Sequence, residues 1–285
     1  MLDILRSIKR KVLTEGFAET VYLFLKEIEK EDRVFKHPDN EFLVNLNFDL
    51  ELGFGTTFWE GNIAKSLSYG KTSRKNLIPF LRYFSEEKIP ANIQIAGALL
   101  DPEASNLSIF NDEQRKAMFE HRDLFKLTDD DIELLKIPSI EMGLHGFSHR
   151  HFTNISDTDA EYEIKSGVTK FQKHFQRNPE FMAFPKNCVA HTDIIQKYGI
   201  KSWRADSQHP NGELEVPLGH WFSPGVLGRE DLKHALKTIK EKKKGFLLQL
   251  WGHFTEMDAR TFRELVGVIK ESGWKLTTIK DFKKY

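Results

Sequence analysis

With 285 residues, 40% of them hydrophobic, the chain has enough apolar material for one large domain or two small ones, and nothing in its composition suggests disorder. Lys plus Arg and Asp plus Glu each number 42, so no global field favours nucleic acid, and no basic run is long enough to track a phosphate backbone. The single cysteine, Cys188, excludes an internal disulfide and a thiolate-rich zinc site, and reads as a small buried hydrophobe.

Leu2, Leu5, Ile8, Val12, Phe17, Val21, Phe24, Leu25 and Ile28 recur near helical spacing, with Gly16 interrupting, so residues 1–31 read as one or two amphipathic helices. Their simplest role is to pack on the main domain; Arg6, Lys9, Arg10 and Lys11 also suit a membrane surface or a partner. The N-terminus lacks the apolar core and small-residue cleavage site of a secretory signal, and no apolar run reaches the roughly 18 residues of a membrane span. The expectation is a cytoplasmic protein, peripheral at the inner membrane face if the basic helices meet lipid. The turn-like His37-Pro-Asp-Asn40 closes this helical extension at residues 1–40 and leaves 41–285 as the main domain.

From Phe42 onward short apolar runs alternate with longer helical segments. Strands are predicted over residues 42–48, 91–96, 139–144, 180–184, 202–205, 245–251 and 274–278. Helices are predicted over 73–87, 128–135, 157–175, 190–198, 231–243 and 259–272, with Ser156 and Asp159 forming a helix start and Gly199 and Gly273 standing at helix stops. About seven repeats of strand and helix argue a parallel α/β architecture, most simply a barrel. In such a barrel the functional groups stand at the C-terminal strand ends and in the loops that follow. Those positions hold Asp49 with Glu51, His145 with His149, Phe184 to Asn187, Arg204 with Asp206, and His253. On the same side, Phe54, Phe58, Trp59, Tyr69 and Trp221 lie in long connections and offer aromatic platforms for a sugar ring.

His145 and His149, four apart, have the spacing to approach one metal ion if the second lies in a helical or turn-like segment, and a third ligand must then come from elsewhere. Taken singly, His145 reads equally as a satisfied interior histidine. Asp49 and Glu51 point to one side of an extended chain, where a buried carboxylate needs a cation: a salt bridge meets that need, and so does a metal. His253 ends a very apolar strand, either as a neutral imidazole suited to acid–base work or as a core-edge residue bonded to a carbonyl.

In this order the pieces resemble the polysaccharide deacetylase family, carbohydrate esterase family four, also called the NodB-homology domain. Asn47-Phe-Asp-Leu-Glu51 resembles the family's Thr-Phe-Asp-Asp-Gly motif, and His145-Gly-Phe-Ser-His149 resembles its His-Ser/Thr-x-x-His motif. Ile89-Pro-Ala-Asn-Ile-Gln-Ile-Ala-Gly97, the segment Phe152 to Ile164, Phe181-Met-Ala-Phe-Pro185 and Leu250-Trp-Gly-His253 resemble further motifs, so that the likeness runs over about residues 41–285. The resemblance implies a distorted seven-stranded (β/α) barrel and metal-dependent hydrolysis of an N-acyl group, usually N-acetyl, on an amino sugar. It implies Asp49 as catalytic base, His145 and His149 as metal ligands, and His253 as catalytic acid. Zinc is the default ion, with cobalt, nickel and manganese as alternatives.

Two positions depart from the family pattern. The second Asp, a metal ligand, is Leu50 here, which leaves Glu51 as the expected third ligand and Asp49 as the alternative. The motif Arg that orients the base falls at Met182, and Arg204 at the neighbouring strand end is the expected substitute. Trp59 and Trp221 are expected to contact substrate. The expected substrate is an amino sugar of a cell-surface glycan under synthesis, nucleotide-linked or lipid-linked. A deformylase or other linear-amide hydrolase is the alternative within the same chemistry, and a glycan-binding barrel without hydrolytic activity is the alternative outside it.

Overall fold

The computed structural model describes residues 40–207, 214–221 and 229–282. The proposed helices over residues 1–31 lie outside the described residues, and among the described residues no helix is long and apolar enough to cross a membrane.

All seven predicted strands are present, as β1 (Phe42–Leu50), β2 (Ala91–Ile95), β3 (Ile140–Leu144), β4 (Phe181–Met182), β5 (Ser202–Arg204), β8 (Phe246–His253) and β9 (Lys275–Thr277). Two further two-residue strands, β6 (Glu215–Val216) and β7 (His220–Trp221), lie in the connection read from sequence as a loop. Two residues carry too little periodicity to register as a strand. The sheet runs β6-β5-β4-β3-β2-β1-β8-β7 with β9 added against β1, and every pairing is parallel. It curls into a distorted, incompletely closed (β/α) barrel, with β6 and β7 as the ends of the paired order.

The helices flank this sheet: α1 (Ile63–Glu86), α2 (Asp129–Leu135), α3 (Asp157–Phe175), α4 (Thr192–Lys197), α5 (Arg229–Lys242), α6 (Ala259–Glu271) and α7 (Ile279–Phe282). The first begins ten residues before the predicted 73, because Asn62 caps it, accepting from the Lys65 amide at 3.1 Å. Thr128 and Ser156 cap α2 and α3, and Gly199 and Gly273 turn the chain after α4 and α6 with φ of +82° and +70°.

β1 is buried along almost its whole length, yet its two faces differ in kind. Val44, Leu46, Phe48 and Leu50 point toward the helices, where Phe48 meets Phe80 and Phe84 of α1, Phe262 of α6, and Phe254 just after β8, at ring-centroid distances of 5.3–5.9 Å. Asn45, Asn47 and Asp49 alternate with them and point into the barrel. Phe54 and Phe58, expected as sugar platforms, are fully buried with Phe110 and Phe125 at 5.2–5.9 Å, because the chain after β1 folds beneath α1. Cys188 is half-buried rather than interior, since it lies in the irregular segment after β4.

Truncating Phe48 to Ala removes the ring on which the first strand meets two helices. The expected cost is about 3–5 kcal/mol of unfolding free energy in a denaturant titration, whereas the same change at the exposed Phe119 costs less than about 0.5 kcal/mol.

Candidate active site

The alternation of β1 decides the site. Asp49 faces inward, Leu50 is fully buried toward the helices, and Glu51, two residues on, returns to Asp49's side as the chain leaves the strand. Position 51 therefore brings a second buried carboxylate to the inner side, where position 50 turns a leucine toward the helices.

Asp49 is 3% exposed and is held by Arg204, itself 1% exposed, through Nη2 to Oδ2 at 2.5 Å and Nη1 to Oδ1 at 3.1 Å. The two-pronged geometry fits a planar guanidinium to a carboxylate. Arg204 is itself fixed: Nη1 also donates to Asn47 Oδ1 at 3.1 Å, Nε donates to Asn187 Oδ1 at 2.9 Å, and the group lies 5.1 Å from the centre of the Trp251 ring. Met182, at the position of the motif Arg, is fully buried in β4. Burial pushes the Asp49 carboxyl up, but Arg204, with His145 and His253, outweighs it and holds the group below the usual carboxylate range.

His145 follows β3, and His149 follows a turn through Gly146 (φ +69°) with its own φ at +67°. That turn, not a helix, supplies the approach of two histidines four apart. Glu163 of α3 accepts hydrogen bonds from the amides of Phe147 and Ser148 at 2.9 and 2.8 Å and from the Ser148 hydroxyl. From the other side Trp59 Nε1 donates to Ser148 O at 2.6 Å. A left-handed histidine is a strained conformation, and contacts on both sides of the loop hold it there.

One nitrogen from each of His145 and His149 and one oxygen of Glu51 lie within 4.8 Å of one another, all buried. His145 Nε2 is 3.7 Å and His149 Nε2 is 2.5 Å from Glu51 Oε2. His145 Nδ1 donates to Ala183 O at 2.7 Å, which puts the lone pair on Nε2, facing the cluster. Burial pushes the His149 imidazole down, against the pull of Glu51, so it stays neutral. Burial pushes Glu51 up, but His149, His145 and His253 together hold it well below the ordinary range. Two imidazole nitrogens and one carboxylate are the donor set of an open catalytic zinc site, and these residues fit a divalent ion. Asp49 Oδ2 is 4.0 Å from His145 Nε2 and already engaged by Arg204, which favours Glu51 over Asp49 as the third ligand.

His253 ends β8 in register with Asp49, its Nε2 3.6 Å from Glu51 Oε1. Its Nδ1 bonds Glu256 Oε1 at 2.6 Å, and its backbone amide donates to the other oxygen of the same carboxylate. Trp221 Nε1 donates to Glu256 Oε1 at 3.0 Å, and its ring stacks on Trp251 at 6.5 Å. The N–H of Trp221 thus serves Glu256. Burial pushes the imidazolium down, but Glu256, Glu51 and Asp49 outweigh it and His253 is pushed up to about 10. It carries a proton at neutral pH, in place of the neutral imidazole expected from its ordinary value, because a turn unseen in the sequence brings the Glu256 carboxylate against its Nδ1.

Sequence reading places Asn187 at a strand end without a role and misses Glu163 and Glu256, whose roles depend on long-range or turn geometry. Tyr69 was placed among aromatic platforms; it hydrogen-bonds Glu51, and burial together with the Glu51 and Glu256 carboxylates keeps its hydroxyl protonated. His151 stands outside the cluster, with Nδ1 2.7 Å from Thr153 Oγ1.

No protein-family model matches the sequence, and no curated protein matches it. Solved structures do match. A Mycobacterium smegmatis protein assigned as a polysaccharide deacetylase superposes with a TM-score of 0.60 at 12% identity, over 88% of this chain and 92% of the other. A family 4 carbohydrate esterase from Bacillus anthracis gives 0.52 at 14% identity, over 92% of each chain. A pseudoenzyme of the same esterase family, also from Bacillus anthracis, gives 0.51 at 11% identity, over 86% of this chain and 66% of that one. The fold is therefore the polysaccharide deacetylase barrel of carbohydrate esterase family four.

The Glu256–His253 pair sets a test in metal-free protein. The folded value of about 10 lies above the ordinary 6.5, so the pair contributes stability that is fully present below pH 6.5 and is lost as pH rises toward 10. In a pH series by NMR the wild-type His253 imidazole should not titrate between pH 5 and 8. In Glu256→Gln its midpoint should drop by at least about one unit, a factor of ten in proton affinity, and the stability gap to wild type should narrow above pH 8.

Proposed function

We propose that the chain is a metal-dependent hydrolase that removes an N-acyl group, in the first instance N-acetyl, from an amino sugar. The observation that carries this reading is the convergence of His145, His149 and Glu51 beside a separately held Asp49 and a protonated His253. Five groups from three strand ends supply a ligand set, a base and an acid in one place, and the deacetylase fold supports the same assignment.

In this proposal His145, His149 and Glu51 hold a divalent ion, zinc by its preference for such donors. When bound, the ion supplies polarisation of the acyl carbonyl and acidifies a water molecule. Asp49 takes the proton from the attacking water on a carboxylate oxygen, while Arg204 and Asn187 keep that carboxylate ionised and oriented. Attack on the acyl carbon breaks the C–N bond, and His253 gives its Nε2 proton to the departing nitrogen. Glu256 holds His253 through Nδ1 and keeps Nε2 directed at the reacting bond. Trp59, beside the His149 loop with Arg150 5.8 Å over its ring, is the proposed contact for the sugar face.

A barrel without hydrolytic activity is the second reading, favoured by Leu50 in the ligand motif and by the pseudoenzyme of the same fold. Acetate release distinguishes the two. Zinc-loaded wild type, offered N-acetylated amino sugars in free, nucleotide-linked and lipid-linked form, should release acetate from at least one. Asp49→Asn should lower kcat by about 10²–10⁴-fold with the metal retained. Glycan binding without acetate release from any of these would favour the second reading.

A further inference from the structure

The barrel interior below the site is not the layered Val, Ile and Leu plug usual for barrels of this kind. Leu43 and Leu247 pack with Phe282 of α7 and close the bottom. Above them the strand register places Asn45 beside Gln249, then Asn47 beside Asn92 and Trp251, then Asp49 beside Gln94, so five amide side chains stand among the inward positions below and at the catalytic layer. All five amide side chains are at most 2% exposed.

Asn92 is satisfied: it accepts from Asn45 Nδ2 at 2.7 Å and from the Ile279 amide at 3.0 Å, and donates to Glu141 Oε2 at 2.8 Å. The others are not. Asn45 Oδ1, Asn47 Nδ2, and both terminal atoms of Gln94 and of Gln249 find no partner among the described residues. Six buried polar atoms left without a partner would together cost an amount comparable to the whole stability of a domain, so something must meet them.

The balance of these atoms identifies the ligand. Asn47, Gln94 and Gln249 offer NH₂ donors, whereas Asn45, Gln94 and Gln249 offer carbonyl acceptors. A cation would leave the donors unmet and an anion would leave the acceptors unmet; water meets both. Gly143 and Gly219 pass close over the stems of the two glutamines: a Cβ on Gly143 would lie 3.3 Å from Gln94 Cγ, and one on Gly219 2.6 Å from Gln249 Cβ.

We propose that the lumen beneath the Asp49–Arg204 pair is a binding site for a cluster of ordered water held by Asn45, Asn47, Gln94 and Gln249. At about three hydrogen bonds per buried water, six atoms call for about two molecules. The cluster receives Asn47 Nδ2 from below and so keeps Asn47 Oδ1 turned toward Arg204 Nη1, which in turn grips Asp49. The inference is independent of the metal cluster above it.

A high-resolution crystal structure of the full chain, paired with oxygen-17 water relaxation dispersion on wild type, Gln94→Leu and Gln249→Leu, tests it. The expected result is density for about two waters at 2.7–3.2 Å from Asn47 Nδ2 and the two glutamine amides, and at least one fewer long-lived water in each variant. Direct pairing of Gln94 with Gln249 and no water between them, or density of a different ligand, would overturn the proposal. So would unchanged long-lived water in both variants. The wild-type structure decides the matter even if a variant fails to fold.

Discussion

Two carboxylates stand at the end of one buried strand, and each must be met by positive charge. Asp49 and Glu51 are 3% and 4% exposed, so neither can rely on water for solvation. Asp49 has a permanent cation, the guanidinium of Arg204, reached across the barrel from β5. Glu51 has the Nε2 atoms of His145 and His149 at 3.7 and 2.5 Å and that of His253 at 3.6 Å. A divalent ion among these three ligands would meet the need more directly than any hydrogen bond they can make to one another. Much of the upper barrel follows from these two requirements: Asn187 and Asn47 brace Arg204, Glu163 and Trp59 brace the histidine loop, and Glu256 braces His253.

The separation of Asp49 from Glu51 by one outward-facing leucine also divides their labour. Arg204 occupies both oxygens of Asp49, which leaves that carboxylate less free than Glu51 to coordinate an ion. Among the described residues no ion pair joins Glu51 to an arginine, and the imidazoles of His149, His145 and His253 hold its carboxyl well below the ordinary range. Position 50 carries a buried leucine and position 182 a buried methionine, while Glu51 and Arg204 stand at strand ends on either side of Asp49.

The strands were legible because apolar runs bounded by turn residues record burial directly, and the strand-end rule then converted Asp49, Glu51, His145, His149, Arg204 and His253 into neighbours before any coordinates. Three kinds of feature stayed hidden. The strands at 215–216 and 220–221 are too short to show a period. Phe54 and Phe58 read as exposed loop aromatics, since composition cannot tell a loop that folds under a helix from one that projects into solvent. The protonation of His253 depends on Glu256, three residues along in a turn, and on Glu51, more than two hundred residues away. The polar lumen was half visible: Asn45, Asn47 and Asp49 alternate in the text of β1, but only the register with Gln94 and Gln249 shows that they share one interior.

The most direct test of this account is the metal content of the purified protein by elemental analysis, for wild type beside Glu51→Ala, His149→Ala and Asp49→Asn. The account predicts about one zinc per chain in wild type and in Asp49→Asn, with loss of the metal in Glu51→Ala and His149→Ala. Absence of metal after reconstitution of wild type, or zinc retained by Glu51→Ala and lost from Asp49→Asn, would contradict it.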